Sequence, residues 1–448
     1  MARPQTEPAL SESSLAWLAG SDPLSRKRHG QYLTPRSVAD ALVSRVDAKP
    51  GLRVLDPGVG TGEILTAVAR RFPDADLTGW DIDETALEAA RELLPGATLE
   101  LRSALELPAA IEPSARSATD SAPEGVPESA TAEERFDLVI GNPPYFQVPV
   151  TAGLKERFGG VISGRANVFA LFFQVGLELL DPGGTLAFVV PPSMNSGAYF
   201  EALREYIVAG GAITDLTALE GSTIFEGANT AAQLLVIRKG GDSSDFVFEH
   251  SEPEADFRRV VFTQSPEDLR GGFEGRRTLW QAGFEAVTGT VVWNQRRSDL
   301  RPEPGPGSVP LVWSRDLRGG TFESGYREDR SDRREARAGD EKPGYIRSER
   351  RLTGPALLVN RVVGAVGRGE LRTYLVPAGT EFLAENHVNV IRERAAVRDA
   401  GPGDPPAALL GWEQLQAAVE ALGTGDRARL LTGNTQLSAT ELTHLLPI

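Results

Sequence analysis

Asn142-Pro143-Pro144-Tyr145 is the tetrapeptide in this chain whose residue types most clearly suggest chemistry. It follows the apolar run Phe136–Ile140, which reads as a strand, so it stands at a strand's carboxyl end. Pro143 and Pro144 carry no amide hydrogen, so no ladder continues through them and the chain turns in a stiff elbow. The Asn142 side-chain oxygen and the Pro143 carbonyl can each accept a hydrogen bond, and two converging acceptors suit a planar amine with two hydrogens. An exocyclic amine conjugated to a ring is a poor nucleophile. Acceptors on both of its hydrogens return electron density to nitrogen, which can then attack a sulfonium methyl group in line. The Tyr145 ring offers a face for a flat heterocycle. The plain alternative is a Pro-Pro turn beside a buried Tyr.

A second group lies upstream. Asp56-Pro57-Gly58-Val59-Gly60-Thr61-Gly62 ends the short strand Arg53–Leu55 and opens a helix at Glu63–Phe72. Gly58, Gly60 and Gly62 let backbone amides approach a ligand at a helix N-terminus, which favours negative charge. Asp81 ends the next strand, Asp76–Trp80, where a carboxylate is placed to accept both hydroxyls of a ribose. NAD(P) uses the same geometry, and a tight turn without ligand remains open. Two details favour another nucleotide. The Asp56 carboxylate could bind an ammonium, which dinucleotides lack, and the spacing is G-x-G-x-G rather than G-x-G-x-x-G. S-adenosylmethionine, with an ammonium, a ribose and an adenine, fits. Before these motifs, Gly30–Pro35 leads into a helix at Arg36–Val46. Thr34 either caps that helix, with Pro35 at its first position, or touches the ligand.

The elements that must position these groups alternate. Helical spacing recurs at Glu84–Leu94, Val168–Leu180 and Tyr199–Val208, and strands at Thr98–Leu101, Thr185–Val190, Ala212–Leu219 and Ala231–Arg238. This predicts an α/β fold: a mostly parallel, Rossmann-like sheet covered on both faces, with the last two strands an antiparallel edge pair. Ligands then sit beyond the carboxyl ends of the strands. Residues 1–27 read as a mobile leader, 28–240 as the cofactor-binding catalytic domain and 241–448 as a second, C-terminal α+β domain. Residues 109–135, built largely from Ala, Ser, Pro, Glu and Thr, read as a disordered insertion. Gly411–Leu422 and Ser438–Leu446 read as terminal helices.

The 448 residues contain no Cys and four His, which excludes disulfides, thiol nucleophiles and Cys-ligated metal. No apolar run spans a membrane and no signal peptide is evident, so a cytoplasmic protein is expected. The net charge of −15 argues against a nucleic-acid binder. Yet residues 276–372 hold 19 Arg and Lys against 13 Asp and Glu. Arg suits phosphate and guanine edges. Arg296, Arg297 and Arg361, flanked mainly by uncharged residues, are the expected DNA contacts. The alternating charges of Tyr326–Arg337 read as a solvated surface.

With these residues in place, the chain resembles class I S-adenosylmethionine-dependent amino-methyltransferases acting on DNA. More narrowly it resembles the gamma-type adenine-N6 modification methyltransferases of the TaqI, PstI and XhoI kind. Gln31–Pro35, Asp56–Gly62, Asp81-Ile82-Asp83 and Asn142–Tyr145 follow in the gamma order. The downstream stretches Val287–Asn294, Pro355–Arg361 and Glu385-Asn386-His387 resemble the PstI and XhoI branch. The resemblance implies methyl transfer to adenine N6 in duplex DNA after base flipping, as the modification enzyme of a restriction-modification or related defence system. It implies Asn142, Pro143, Pro144 and Tyr145 as catalytic, with Phe225 stacking on the extruded adenine. Implied cofactor contacts are Tyr32, Thr34, Asp56, Pro57, Gly58, Gly60, Gly62, Asp81, Ile82, Ser103 and Asn142, with no metal. Ser103 stands where an acidic residue often meets the cofactor's adenine, which weakens that contact. The C-terminal domain would recognise the target. Partners would be double-stranded DNA and a cognate restriction endonuclease, with the enzyme a monomer or weak dimer. Other acceptors remain open: cytosine N4, an RNA base or a protein glutamine. So does a non-enzymatic DNA-binding scaffold.

Overall fold

The computed structural model describes residues 9–47, 49–106, 135–219, 232–242, 244–317, 343–361, 371–395, 410–423 and 437–448. The chain divides into two compact units, Met1–Phe248 with Val260–Gln264, and Glu249–Arg259 with Ser265–Ile448.

The first unit is built on a seven-stranded sheet. In chain order its elements are α1 (Glu12–Gly20), α2 (Pro23–His29), α3 (Arg36–Val43), β1 (Arg53–Asp56), α4 (Glu63–Arg71), β2 (Asp76–Asp81), α5 (Glu84–Leu93), β3 (Thr98–Leu101) and β4 (Phe136–Gly141). Then follow β5 (Gln147–Val148), α6 (Ala152–Phe158), β6 (Ala166–Asn167), α7 (Val168–Leu179), β7 (Leu180–Val190), α8 (Glu201–Gly210), β8 (Gly211–Ala218) and β9 (Gln233–Lys239). The order across the sheet is β3-β2-β1-β4-β7-β9-β8, with β5 and β6 forming a separate small ribbon. Strands β3, β2, β1, β4 and β7 are parallel, and β9 runs antiparallel between β7 and β8. The expected mostly parallel sheet with its antiparallel edge pair is therefore observed.

Strand parity builds two cores. Val54, Leu138, Ile140, Ala187 and Val189 point to one face and pack with α3, α4 and Leu87 of α5. Leu55, Val139, Leu186, Phe188 and Val190 point to the other and pack with α7 and α8. All twelve residues of α7 are buried, which explains its near-continuous apolar sequence. The chain runs outward from β1 through β2 to β3, then crosses back to β4 on the other side of β1. The carboxyl ends of β1, β2 and β4 therefore flank the point where the order reverses.

Of the residues read as a mobile leader, Glu12–Gly20 form α1 and those from Pro23 on belong to α2, with the extended Ser21 and Asp22 between them. Their caps explain it: Ser11 accepts from the Ser14 amide at 3.2 Å, and Asp22 accepts from the amides of Leu24 and Ser25 with Pro23 at the first helical position. A second correction concerns α3. Its N-cap residue is Pro35, not Thr34, and no side chain caps it. The insertion read at 109–135 lies outside the described residues except for Arg135.

The second unit is α+β. One antiparallel sheet runs Phe284–Thr288, Val388–Glu393, Ala356–Asn360, Thr373–Val376. A mixed five-stranded sheet runs Leu300–Arg301, Tyr345–Arg347, Ser308–Val312, Glu381–Ala384, Leu352–Thr353. The helices Trp412–Gly423 and Ala439–His444 fall where terminal helices were expected.

Candidate cofactor cleft and catalytic elbow

A cleft opens where β1, β2 and β4 end. Of the residues singled out in the sequence, Tyr32, Pro57, Gly58, Gly60, Asp81, Ile82, Ser103, Asn142 and Pro144 line it. Thr34, Asp56, Gly62, Pro143 and Tyr145 lie close to lining residues in sequence but do not line the cleft themselves.

The glycine turn is held by its neighbours. Gly62 is left-handed, with φ of 90°, and caps α4 at a conformation that a side chain would strain. The Gly60 amide donates to Asp81 Oδ2 at 2.8 Å, and the Asp83 amide to Asp81 Oδ1 at 2.9 Å. Each Asp81 oxygen thus accepts one backbone bond and keeps a second lone pair for a ligand. Burial raises the Asp81 pKa against these two bonds. Asp83 is different. Burial would raise it, but bonds from Thr85, Gln31 and the Thr85 and Ala86 amides outweigh that and hold it below the usual carboxylate range. Ile82 is 67% exposed beside Asp81, an apolar surface at the cleft.

Asp56 is 2% exposed and accepts from the Gly58 amide at 3.1 Å. Burial pushes its carboxyl up to about 8, with Asp81 adding to the rise. A Cβ at Gly141 would lie 2.8 Å from Asp56 Oδ1, so glycine there leaves room for the carboxyl group next to Asn142.

The Asn142 amide is fixed on both sides. Its Nδ2 donates to the Tyr32 carbonyl at 3.3 Å and to Thr34 Oγ1 at 3.1 Å, and its Oδ1 faces the Tyr145 hydroxyl at 2.6 Å. Thr34 therefore holds the elbow rather than the helix. The Tyr145 ring lies 6.5 Å from the Tyr32 ring, roughly parallel, and meets Phe169 edge-on at 6.1 Å. Burial raises its hydroxyl pKa well above the ordinary value, so it stays a donor. Tyr145 was expected to present a ring face; it also fixes the Asn142 oxygen. The two lone pairs of that oxygen leave one for an amine hydrogen.

The structure adds residues to the cleft that sequence reasoning did not place there: Trp17, Arg102, Phe146, Val168 and Phe172. The Arg102 guanidinium sits 4.1 Å from the centre of the Trp80 ring. No sequence signal marked Arg102, and Trp17 was lost with the leader. Phe225 lies outside the described residues.

Of the three arginines, Arg296 is engaged locally: its Nε is 2.5 Å from Asp299 Oδ2, and it also donates to the Arg347 carbonyl. A short 3-10 turn brings Asp299 against it, which the sequence neighbours did not suggest. Arg361 donates to the Asn386 carbonyl at 3.3 Å. Arg297 is exposed, with its guanidinium 5.0 Å from the Trp293 ring centre. The three downstream stretches of the resemblance converge. Val291 bridges to Glu385, the Asn386 amide donates to the Val291 carbonyl, and the Arg361 amide to the His387 carbonyl. The stretch Tyr326–Arg337 lies outside the described residues.

Sheet order, glycine turn and acidic strand end together define the class I methyltransferase fold. Residues 75–225 match the Eco57I restriction-modification methylase family, a span that contains Asp81 and Asn142–Tyr145. The chain is 27% identical over 320 residues to the type II methyltransferase M.TthHB8I of Thermus thermophilus, covering 65% of this chain and 66% of that one. It is 24% identical to M.BsuBI of Bacillus subtilis, covering 66% and 64%. A tRNA1(Val) (adenine(37)-N6)-methyltransferase of Porphyromonas gingivalis is 31% identical over 31% of this chain and 49% of its own length. The chain spans just under two thirds of the length of the first two relatives. These matches bear out the resemblance to restriction-modification methylases.

Proposed function

We propose that this protein transfers a methyl group from S-adenosylmethionine to adenine N6 in duplex DNA, as the modification enzyme of a restriction-modification system. The observation that carries this reading is the placement of Asn142 on the same cleft as Asp81, Gly58 and Gly60. The donor set fits the cofactor. Asp81 would hold the ribose hydroxyls, Ile82 and Ala86 the adenine, the glycine turn the backbone side, and Asp56 would face the ammonium end. When bound, the cofactor supplies an electrophilic methyl group on sulfonium.

The remaining chemistry belongs to the elbow. Asn142 Oδ1 and the Pro143 carbonyl accept the two hydrogens of an exocyclic amine and raise the electron density on its nitrogen. Tyr145 and Thr34 keep the amide oriented. These residues hold the amine in place for the methyl carbon that a bound cofactor would offer, with the thioether as leaving group. The amine proton, acidic at that point, passes to water without a strong base. Adenine must leave the duplex, because its N6 is paired there. Phe225 is proposed, on the resemblance alone, to stack on the flipped base. The second unit is proposed to recognise the target, with Arg297 at the DNA. Cytoplasmic location, a monomeric or weakly dimeric state and a cognate endonuclease partner belong to the same reading; among the described residues no helix is long and apolar enough to cross a membrane.

The relative acting on tRNA favours one second reading, an RNA adenine. Transfer from radiolabelled cofactor to DNA, RNA and protein, followed by nucleoside analysis, separates the two. The proposed reading requires N6-methyl-2′-deoxyadenosine from DNA; N6-methyladenosine from RNA alone overturns it.

A further inference from the structure

We infer that helix α1 is a wall of the cofactor cleft and that Trp17 positions what binds there. This rests on the reading of the cleft as a cofactor site. Two sets of bonds place α1 across both sides of the cleft. Toward the glycine turn, Ser14 Oγ and Thr61 Oγ1 are 2.6 Å apart, both buried, and the Ser11 amide donates to Glu63 Oε1 at 2.7 Å. Along α5, Trp17 Nε1 donates to Thr85 Oγ1 in its first turn at 3.0 Å, and Ser13 Oγ donates to Glu92 Oε2 in its last turn at 2.7 Å.

The second set continues inward. Thr85 Oγ1 donates to Asp83 Oδ1 at 2.7 Å, and the Asp83 amide donates to Asp81 Oδ1 at 2.9 Å. Gln31 Nε2 donates to the other Asp83 oxygen at 3.0 Å, which ties the N-terminal motif into the same chain. Trp17 is thus three hydrogen bonds from the carboxylate assigned to the ribose. Its ring lines the cleft together with Ile82, Ala86, Arg102 and Ser103, the adenosine side of the site. A surface helix held only for stability has no need of an aromatic residue on a ligand cleft. Here the same residue both closes the cleft and anchors the helix, so occupancy of the cleft and docking of α1 stabilise each other.

The experiment uses the full chain. Calorimetry measures the affinity of the parent and of Trp17→Ala for S-adenosylmethionine, S-adenosylhomocysteine and adenosine. Hydrogen exchange follows the amides of residues 12–20 in the parent with and without S-adenosylhomocysteine. The expected result is a loss of roughly five- to tenfold in affinity for all three ligands, the scale of one aromatic contact. The cofactor KM should rise by a similar factor with kcat at saturating cofactor little changed. Trp17→Phe, which keeps a ring but loses the donor, should recover part of the loss. Exchange in α1 should slow when ligand is bound. Unchanged affinity in Trp17→Ala, or α1 exchange indifferent to ligand in the parent, overturns the inference. The exchange arm decides even where the Ala variant folds poorly. Failure of the parent to bind any of the three ligands overturns the reading of the cleft itself, and this inference with it.

Discussion

The Tyr145 hydroxyl lies 2.6 Å from the side-chain oxygen of Asn142 and 2.7 Å from the Val189 carbonyl, so one phenol links the elbow to the end of β7. Tyr145→Phe keeps the ring and removes this donor. A single neutral hydrogen bond is worth about 0.5–1.5 kcal/mol, so single-turnover transfer should slow by roughly three- to tenfold. Cofactor affinity should stay constant. An unaltered rate would leave Tyr145 with only its ring to contribute.

Asn142→Ala removes the proposed acceptor. Loss of one preorganised group of this kind costs about 3–4 kcal/mol at the transition state, enough to bring transfer near background. Because Asn142 also holds Thr34 and the Tyr32 carbonyl, cofactor affinity should fall slightly as well. Rapid-quench measurement at saturating cofactor isolates the chemical step, and a rate near that of the parent would remove Asn142 from it.

Asp81→Ala should weaken cofactor binding strongly. It deletes a charged acceptor, worth roughly 1.5–3 kcal/mol per bond, and also releases the amides of Gly60 and Asp83. Calorimetry reads the dissociation constant directly. A constant within a factor of two of the parent's would make Asp81 a brace for the turn alone.

Asp56 sets a pH dependence of stability. Its folded pKa, about 8, lies above the ordinary carboxylate value, so the native state holds a proton that the unfolded chain has released. Its stabilising contribution is full below the unfolded value and is lost as pH rises toward about 8. Asp56→Asn keeps an acceptor for the Gly58 amide and cannot ionise. The ligand-free variant should therefore gain on the parent as pH rises from 5 to 8.5, by several degrees in Tm at the upper end. Parallel melting curves across that range would mean Asp56 stays ionised throughout.

Of the three arginines, Arg297 is the exposed one, with its guanidinium over the Trp293 ring. Arg297→Ala should weaken binding to all duplex sequences and flatten the salt dependence by about one unit of log–log slope if the contact is to phosphate. If it reads a base edge instead, specificity should relax at one pair by about 1–3 kcal/mol. Fluorescence anisotropy over a salt series, with cognate and scrambled duplexes, separates these outcomes, and no change in either would take Arg297 off the DNA.

The strands, their order and the two turns were legible because buried parallel strands are short apolar runs and their ends carry unusual residue types. Asp56–Gly62, Asp81 and Asn142–Tyr145 could be placed together before any coordinates. Side-chain partners were less accessible. Thr34 reads as a cap because Thr before Pro often is one, yet its hydroxyl serves Asn142, 108 residues away. Arg296 is flanked mainly by uncharged residues, but a 3-10 turn folds Asp299 onto it. The N-terminal segment was judged by its Ser, Pro and Ala content, when its capping residues Ser11 and Asp22 carried the better signal.

The alternation of β4 between two cores gives the elbow a parity. Leu138 and Ile140 belong to one core and Val139 to the other, and Gly141 and Asn142 follow directly. Adding or deleting one residue within β4 would send each buried side chain to the opposite core and turn Asn142 away from the cleft. A change of two residues preserves facing and only lengthens or shortens the strand. The frame of β4 is therefore read in pairs, and an odd insertion there would silence the elbow without altering any of its four residues.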